Sequence, residues 1–238
     1  MLFNSYVFIL LFLPLCILGY YGLNYFNKYI LGQAFLLGMS LWFYAYFNIS
    51  YLFIIVGSIA MNYFIYFLFQ KIRDGNIRKA IFIIGLSGDI GLLLYFKYMD
   101  FFIRNINVIF HREYELWGIL LPLGISFFTF QQLSFLVDAY RKEVPQCGFL
   151  YYATYVAFFP QLIAGPIVTH DELIPQFLEN ERKHIDWDYM AKGIYIFVLG
   201  LAKKVLLADT FGKAVNWGYA NLGELNSTDA LVIMLAYT

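Results

Sequence analysis

Seven apolar runs of about twenty residues each succeed one another along this chain, near 5–23, 32–47, 51–69, 80–98, 117–137, 149–168 and 190–208, and a further one begins at Ala230. A hydrocarbon core of about 30 Å needs roughly 20 apolar residues to cross as a helix. Backbone groups in hydrocarbon must find their partners within the segment or in a closed barrel. The apolar/polar alternation of membrane barrel strands is absent from these runs. The spacing therefore predicts an all-α, polytopic transmembrane bundle of about seven complete segments plus a shortened one. Composition agrees: 61% of the 238 residues are hydrophobic and 13% charged, with 26 Phe and 21 Tyr. A soluble domain is about 45–50% apolar and about 25% charged, and so many rings would not fit inside one core. No internal repeat, low-complexity tract or soluble domain interrupts the pattern, so residues 1–238 read as a single membrane domain.

The balance of 16 basic and 16 acidic residues offers no basic surface for nucleic acid. Cys16, in an apolar run, and Cys147, in a connection, predict neither a disulfide framework nor a metal site. The opening MLFNSYVFILLFLPLCILGYY lacks a basic region and a small-residue cleavage site, so it reads as a retained helix, bent at Pro14. Lys28, the group Lys71, Arg73, Arg78 and Lys79, and the pair Arg141 and Lys142 fall in alternate connections. The positive-inside rule puts those connections in the cytoplasm and the N-terminus outside, in a cell membrane. The last run, ALVIMLAYT, stops after nine residues, which predicts an incomplete protein.

Some residues sit badly in lipid. FFPQLIAGPIVTH (158–170) places Pro160, Gln161, Gly165 and Pro166 inside an apolar run. Proline removes a backbone donor and clashes with the preceding turn, and irregular backbone at membrane depth needs protein or a water-filled cavity around it. Two readings stand: a broken or re-entrant helix beside a polar space, or an interfacial loop where Pro166 ends a helix. In 121–141, Gln131, Ser134 and Asp138 recur on one helical face, leaving Phe127, Phe128 and Phe130 for lipid or neighbouring helices. That face would line the interior, or serve only interhelical hydrogen bonds. Asp89 lies well inside IFIIGLSGDIGLLLYF and reads as an interior residue. Lys203 and Lys204 lie in an apolar run close to Asp209 and are able to snorkel to an interface.

Three histidines are present. His111 falls in a charged connection, His184 in a hydrophilic stretch, and His170, next to Asp171 and Glu172, reads as a solvated interfacial residue. No nucleophile elbow, zinc-protease motif, phosphate-binding glycine loop or cysteine metal motif occurs. On the residues alone an enzyme, a transporter or export channel, and a non-catalytic scaffold all remain open.

The segments LPLGISFFTFQQLSFLVDAYR (121–141), YVAFFPQLIAGPI (155–167) and GLAKKVLLADTF (200–211) resemble motifs of the membrane-bound O-acyltransferases, in the alginate O-acetyltransferase-like branch. FNSYVFILLFLP (3–14) and LLLYFKYMDFF (92–102) fit the same branch in the same order. The resemblance implies the N-terminal portion of a helical bundle around a tunnel. It implies no bound cofactor; an activated acyl carrier such as acetyl-CoA is a substrate, used from the cytoplasmic side. The acceptor it implies is an exported polysaccharide, and the partner an extracytoplasmic esterase-like protein. Pro160, Gln161, Gly165 and Pro166 match the family's signature near that tunnel, with Gln131, Ser134, Asp138 and Asp89 as further lining candidates. Lys203 and Lys204 are candidates for attracting an anionic donor. The family's essential histidine lies in a Trp- and Arg-containing segment that does not occur here, so no catalytic role passes to His111, His170 or His184.

Overall fold

The computed structural model describes residues 2–162, 165 and 168–237. It is all-α, and no strand occurs among the described residues. Four helices are long and apolar enough to cross a membrane: α1 (Phe8–Tyr25), α2 (Tyr29–Phe47), α3 (Ile49–Lys71) and α4 (Gly75–Phe110). The others are α5 (Ile125–Arg141), α6 (Phe149–Ala157), α7 (Phe159–Leu162), α8 (His170–Leu178), α9 (Trp187–Ala202), α10 (Asp209–Ala220) and α11 (Ser227–Tyr237). The chain divides into two compact units, one of Leu15–His184 and the other of Leu2–Pro14 with Ile185–Thr238.

Several of the expected runs take a different form, each for a local reason. α1 opens with a π turn over Phe8–Phe12, in which the Leu13 N–H bonds the Phe8 carbonyl. The wider turn lies just ahead of Pro14, whose ring would crowd the carbonyl four residues back in a regular helix. α4 does not stop near residue 98. Its 36 residues cover about 54 Å, well beyond a bilayer core. It starts on an Asp74 cap to the Asn76 and Ile77 N–H groups and ends at His111, which takes a left-handed conformation with φ 50°. The irregular segment that follows is tied back onto the helix. Asp100 accepts from the Trp117 and Gly118 N–H groups at 3.0 and 3.2 Å, and Asn107 exchanges two bonds with Tyr114. The run at 117–137 becomes helical only from Ile125. Pro122 precedes it, and Gly118 and Gly124 both have positive φ, which helix does not admit.

In the first unit α2, α3, α4 and α5 pack in sequence, while α6 lies against α2, α3 and α5. Arg78, from the first turn of α4, donates to the Ala139 and Tyr140 carbonyls at 3.0 and 2.8 Å. Those carbonyls lie in the last turn of α5, where a cation is best placed. In the second unit α9, a π turn over Lys203–Ala208 and α10 run on without a break. α11 packs on α10 with Ile233 seated directly over Gly218, where any side chain would collide with it. No residue of α9 or α11 is buried.

Candidate functional site

At the centre of the first unit, side chains from four helices form one buried polar cluster. Asn62 of α3 is inaccessible, and its amide NH2 serves three acceptors. These are Gln132 Oε1 at 2.7 Å, Asp89 Oδ1 at 2.8 Å and the Ser58 carbonyl at 3.1 Å. Gln132 Nε2 donates to Ser58 Oγ at 3.0 Å, and the Tyr152 hydroxyl donates to Gln132 Oε1 at 3.3 Å. Ionisable groups at such depth face the bundle interior and take a polar partner, here the Asn62 amide. Asp89 is 1% exposed, as an interior position requires. Asp89 Oδ2 and Asn62 Oδ1 have no hydrogen-bond partner among the described residues.

A second polar set belongs to the segment after α6. Helix α6 has only nine residues, and the chain turns at Phe158 into the four-residue α7. Pro160 lies in the first turn of α7, where its missing donor costs no helical bond, and it is exposed. Gln161 is buried; its Nε2 donates to the Tyr155 carbonyl at 2.6 Å, and its Oε1 has no partner among the described residues. The Phe159 N–H reaches Ser40 Oγ at 3.4 Å. Gly165 donates to the Gln161 carbonyl at 3.3 Å, and a Cβ there would strike the Gln161 backbone. Leu162 rests its carbonyl on Gly124, whose φ of +66° and lack of a side chain both suit the contact. Pro166 lies outside the described residues.

Gln131, Ser134 and Asp138 lie along α5. Gln131 is buried, Ser134 and Asp138 are half-buried, and Gln132, one residue round the helix, supplies the hydrogen bonds of the central cluster. Phe128 is fully buried, whereas Phe130 is exposed. Asp138 Oδ2 stands 3.6 Å from His170 Nδ1. His170 is therefore not the solvated residue that its charged neighbours imply. It is buried, with its ring edge-on to Phe135 at 5.5 Å. It lines a pocket of about 450 Å³ together with Pro145, Gln146, Cys147, Asp171 and Ile174. The Thr169 side chain bonds Asp171 and holds its carboxyl below the usual range. Burial pushes the Cys147 thiol up to about 11.

Lys203 and Lys204 belong to the second unit and are both exposed. Lys204 is ion-paired with Asp209. Lys203 lines a pocket of about 470 Å³ with Phe211, Asn216 and Tyr237. Among the described residues no group of three or more metal-ligating side chains occurs.

Sequence reading overlooked Ser58, Asn62, Gln132 and Tyr152. Asn62 carried a signal, an amide in the middle of VGSIAMNYFIYF with Ser58 one turn before it. The pairing of Asn62 with Asp89 and Gln132 is long-range and has no local signature.

Fold and site together define an all-α membrane protein whose helices enclose a polar cluster in which some buried polar atoms have no partner among the described residues. The chain is 36% identical over 264 aligned residues to a peptidoglycan O-acetyltransferase of Helicobacter pylori. It is 35% identical to the "probable alginate O-acetylase AlgI" of Pseudomonas aeruginosa and 34% identical to that of Azotobacter vinelandii. Each alignment covers all of this chain but 50%, 45% and 47% of those relatives respectively. The chain thus spans about half the length of the curated relatives it matches. No protein-family model and no solved structure matches it. By this similarity the chain is a homologue of proteins named for O-acetylating peptidoglycan and alginate, in line with its resemblance to the membrane-bound O-acyltransferases.

Proposed function

We propose that this chain forms part of a membrane O-acetyltransferase that modifies hydroxyl groups of an exported cell-envelope polysaccharide. The observation that carries the reading is the similarity of the whole chain to proteins named for acetylating peptidoglycan and alginate. An activated acyl carrier, acetyl-CoA or another thioester, serves as donor on the cytoplasmic face. The acyl group moves along a passage to an extracytoplasmic acceptor, and an esterase-like partner outside the membrane completes delivery. Asp89, Gln131, Ser134, Asp138, Pro160, Gln161, Gly165 and Pro166 are the proposed lining, and Lys203 and Lys204 the proposed attraction for the donor's charge.

Unpaired buried polar atoms support a passage over a solid core. Gln161 Oε1, Asp89 Oδ2, Asn62 Oδ1 and Thr129 Oγ1 are inaccessible and lack partners among the described residues. Each such group costs about 1–3 kcal/mol if nothing bonds it. Water or a ligand threading the bundle would satisfy them. A passage lined by fixed dipoles would also stabilise developing oxyanion charge and keep water from the acyl group. His111, His170 and His184 receive no catalytic role.

The test uses the full-length protein containing this chain, expressed in a strain lacking its own envelope O-acetylation. Alkali-released acetate from purified peptidoglycan and exopolysaccharide is expected to rise in one of them. Absence of added acetate in both, with the protein present in the membrane, overturns the proposal. Donor binding tests the lysines: Lys203→Ala with Lys204→Ala should weaken it severalfold, and unchanged affinity removes them from the site.

A further inference from the structure

We infer that the chain between Phe149 and His170 enters the membrane and returns to the face it came from, as a re-entrant hairpin and not a span. Two sets of contacts mark the faces of the first unit. One face carries Lys28, the Lys71–Lys79 connection and Arg141, and there Arg78 caps the end of α5. The opposite face carries the Tyr51 hydroxyl on the Leu120 carbonyl at 2.7 Å, Asp100 on the Trp117 N–H, and Lys97 on Ser126.

Both ends of the segment lie on the first face. Before it, the Tyr66 hydroxyl accepts from the Cys147 N–H and donates to the Pro145 carbonyl, each at 3.1 Å, near the end of α3. After it, His170 meets Asp138, in the last turn of α5. Gln146 and Cys147 from before the segment share one pocket with His170 and Asp171 from after it. Further on, the Lys183 ammonium sits 4.8 Å from the Tyr29 ring centroid, at the start of α2. A span would have put His170 and Lys183 with Tyr51 and Trp117.

The limb is also too short to cross, since the nine residues of α6 cover about 14 Å of an about 30 Å core. Its deep end is well placed nonetheless. Phe159 bonds Ser40, about 16 Å along α2 from Tyr29, and its ring lies tilted against Phe43 with centroids 5.6 Å apart. Leu162 rests on Gly124, at the far end of α5. The hairpin therefore reaches most of the way through the unit. Its return also keeps Arg182 and Lys183 on the face of the other basic residues, as the positive-inside rule favours for a cytoplasmic surface. None of this depends on acyl transfer.

Three exposed glutamates decide the matter in the full-length protein: Glu143→Cys before the segment, Glu172→Cys after it and Glu113→Cys on the opposite face. Intact cells and permeabilised cells are treated with a membrane-impermeant maleimide. Cys16 and Cys147 are buried, so the unsubstituted protein gives the background. Glu143→Cys and Glu172→Cys are expected to label together, rising severalfold on permeabilisation, while Glu113→Cys labels in intact cells. Glu172→Cys behaving as Glu113→Cys does, and opposite to Glu143→Cys, overturns the hairpin. If a cysteine variant accumulates poorly, an epitope inserted after Asn180 and probed with antibody from each side yields the same decision.

Discussion

Asn62 in the middle of α3 and Lys204 in the wide turn after α9 are both polar residues set in apolar helical runs, yet their surroundings have little in common. Asn62 is wholly inaccessible and joined to Asp89, Gln132 and Ser58 by bonds from three helices. Lys204 keeps 52% of its side-chain surface exposed and has a single partner five residues along its own helix. The first arrangement ties distant parts of the chain together and cannot be relaxed without stranding a carboxyl. The second is local, and its charge reaches out along a flexible stem. Depth in the sequence alone does not distinguish them; the number of helices contributing partners does.

The largest test of that contrast removes the amide. Asn62→Leu is expected to lower stability by about 3 kcal/mol, because the Asp89 carboxylate loses its donor and Gln132 one of two while both remain buried. Unfolding in detergent, followed by the thermal midpoint, measures it, with Lys204→Ala as the reference. If the two variants melt alike, the cluster is not what holds the first unit. A double-mutant cycle of Asn62→Ala with Gln132→Ala sharpens the comparison: residues in one network should couple by about 0.5–3 kcal/mol.

A second, smaller effect is expected at the hairpin's deep end. Gly124→Ala should cost about 1–2 kcal/mol for the left-handed backbone, plus whatever movement of Leu162 its Cβ forces. Gly91→Ala, in α4 with nothing near its Cβ position, should be neutral or stabilising by about 1 kcal/mol. Equal melting of the two alanine variants would show that Leu162 does not rest on Gly124 as described.

These outcomes also mark what was legible in the chain. The helical class and the membrane setting follow from apolar runs of the right length, and Asp89 announced itself as an interior carboxyl. The count of spans was not legible. Gly124 and Pro122 delay α5, and the turn at Phe158 breaks what composition renders as one continuous segment. Hydropathy registers solvent preference and is blind to the direction the chain takes after a turn. His170 was misread for a related reason. Its neighbours Asp171 and Glu172 are exposed, but the first turn of α8 points the imidazole inward onto Phe135 and Asp138. In a helix, adjacent positions face different ways, so a charged neighbour says little about burial.

The smallest expected effects lie at Lys204 and at Cys147, and they sharpen the contrast from the opposite direction. Lys204→Ala should change stability by no more than about 1 kcal/mol, the ordinary worth of an exposed ion pair, and less in high salt. Cys147 is on the first unit's side of the comparison: a residue in a connection, yet buried and tied through its N–H to Tyr66. Its thiol is raised to about 11 by burial, so at pH 7.5 almost none of it is the reactive thiolate. Alkylation of the folded protein by a small maleimide should thus be at least tenfold slower than in denaturant, and raising the pH to 9 should speed it only through the small thiolate fraction. Tyr66→Phe removes the acceptor of the Cys147 N–H and the donor to Pro145. It should accelerate alkylation severalfold while leaving the melting of the Asn62 cluster nearly unchanged. Rapid alkylation of the unsubstituted protein would mean that the connection is open to solvent and that the tight tethering seen around Asn62 stops short of this end of α3.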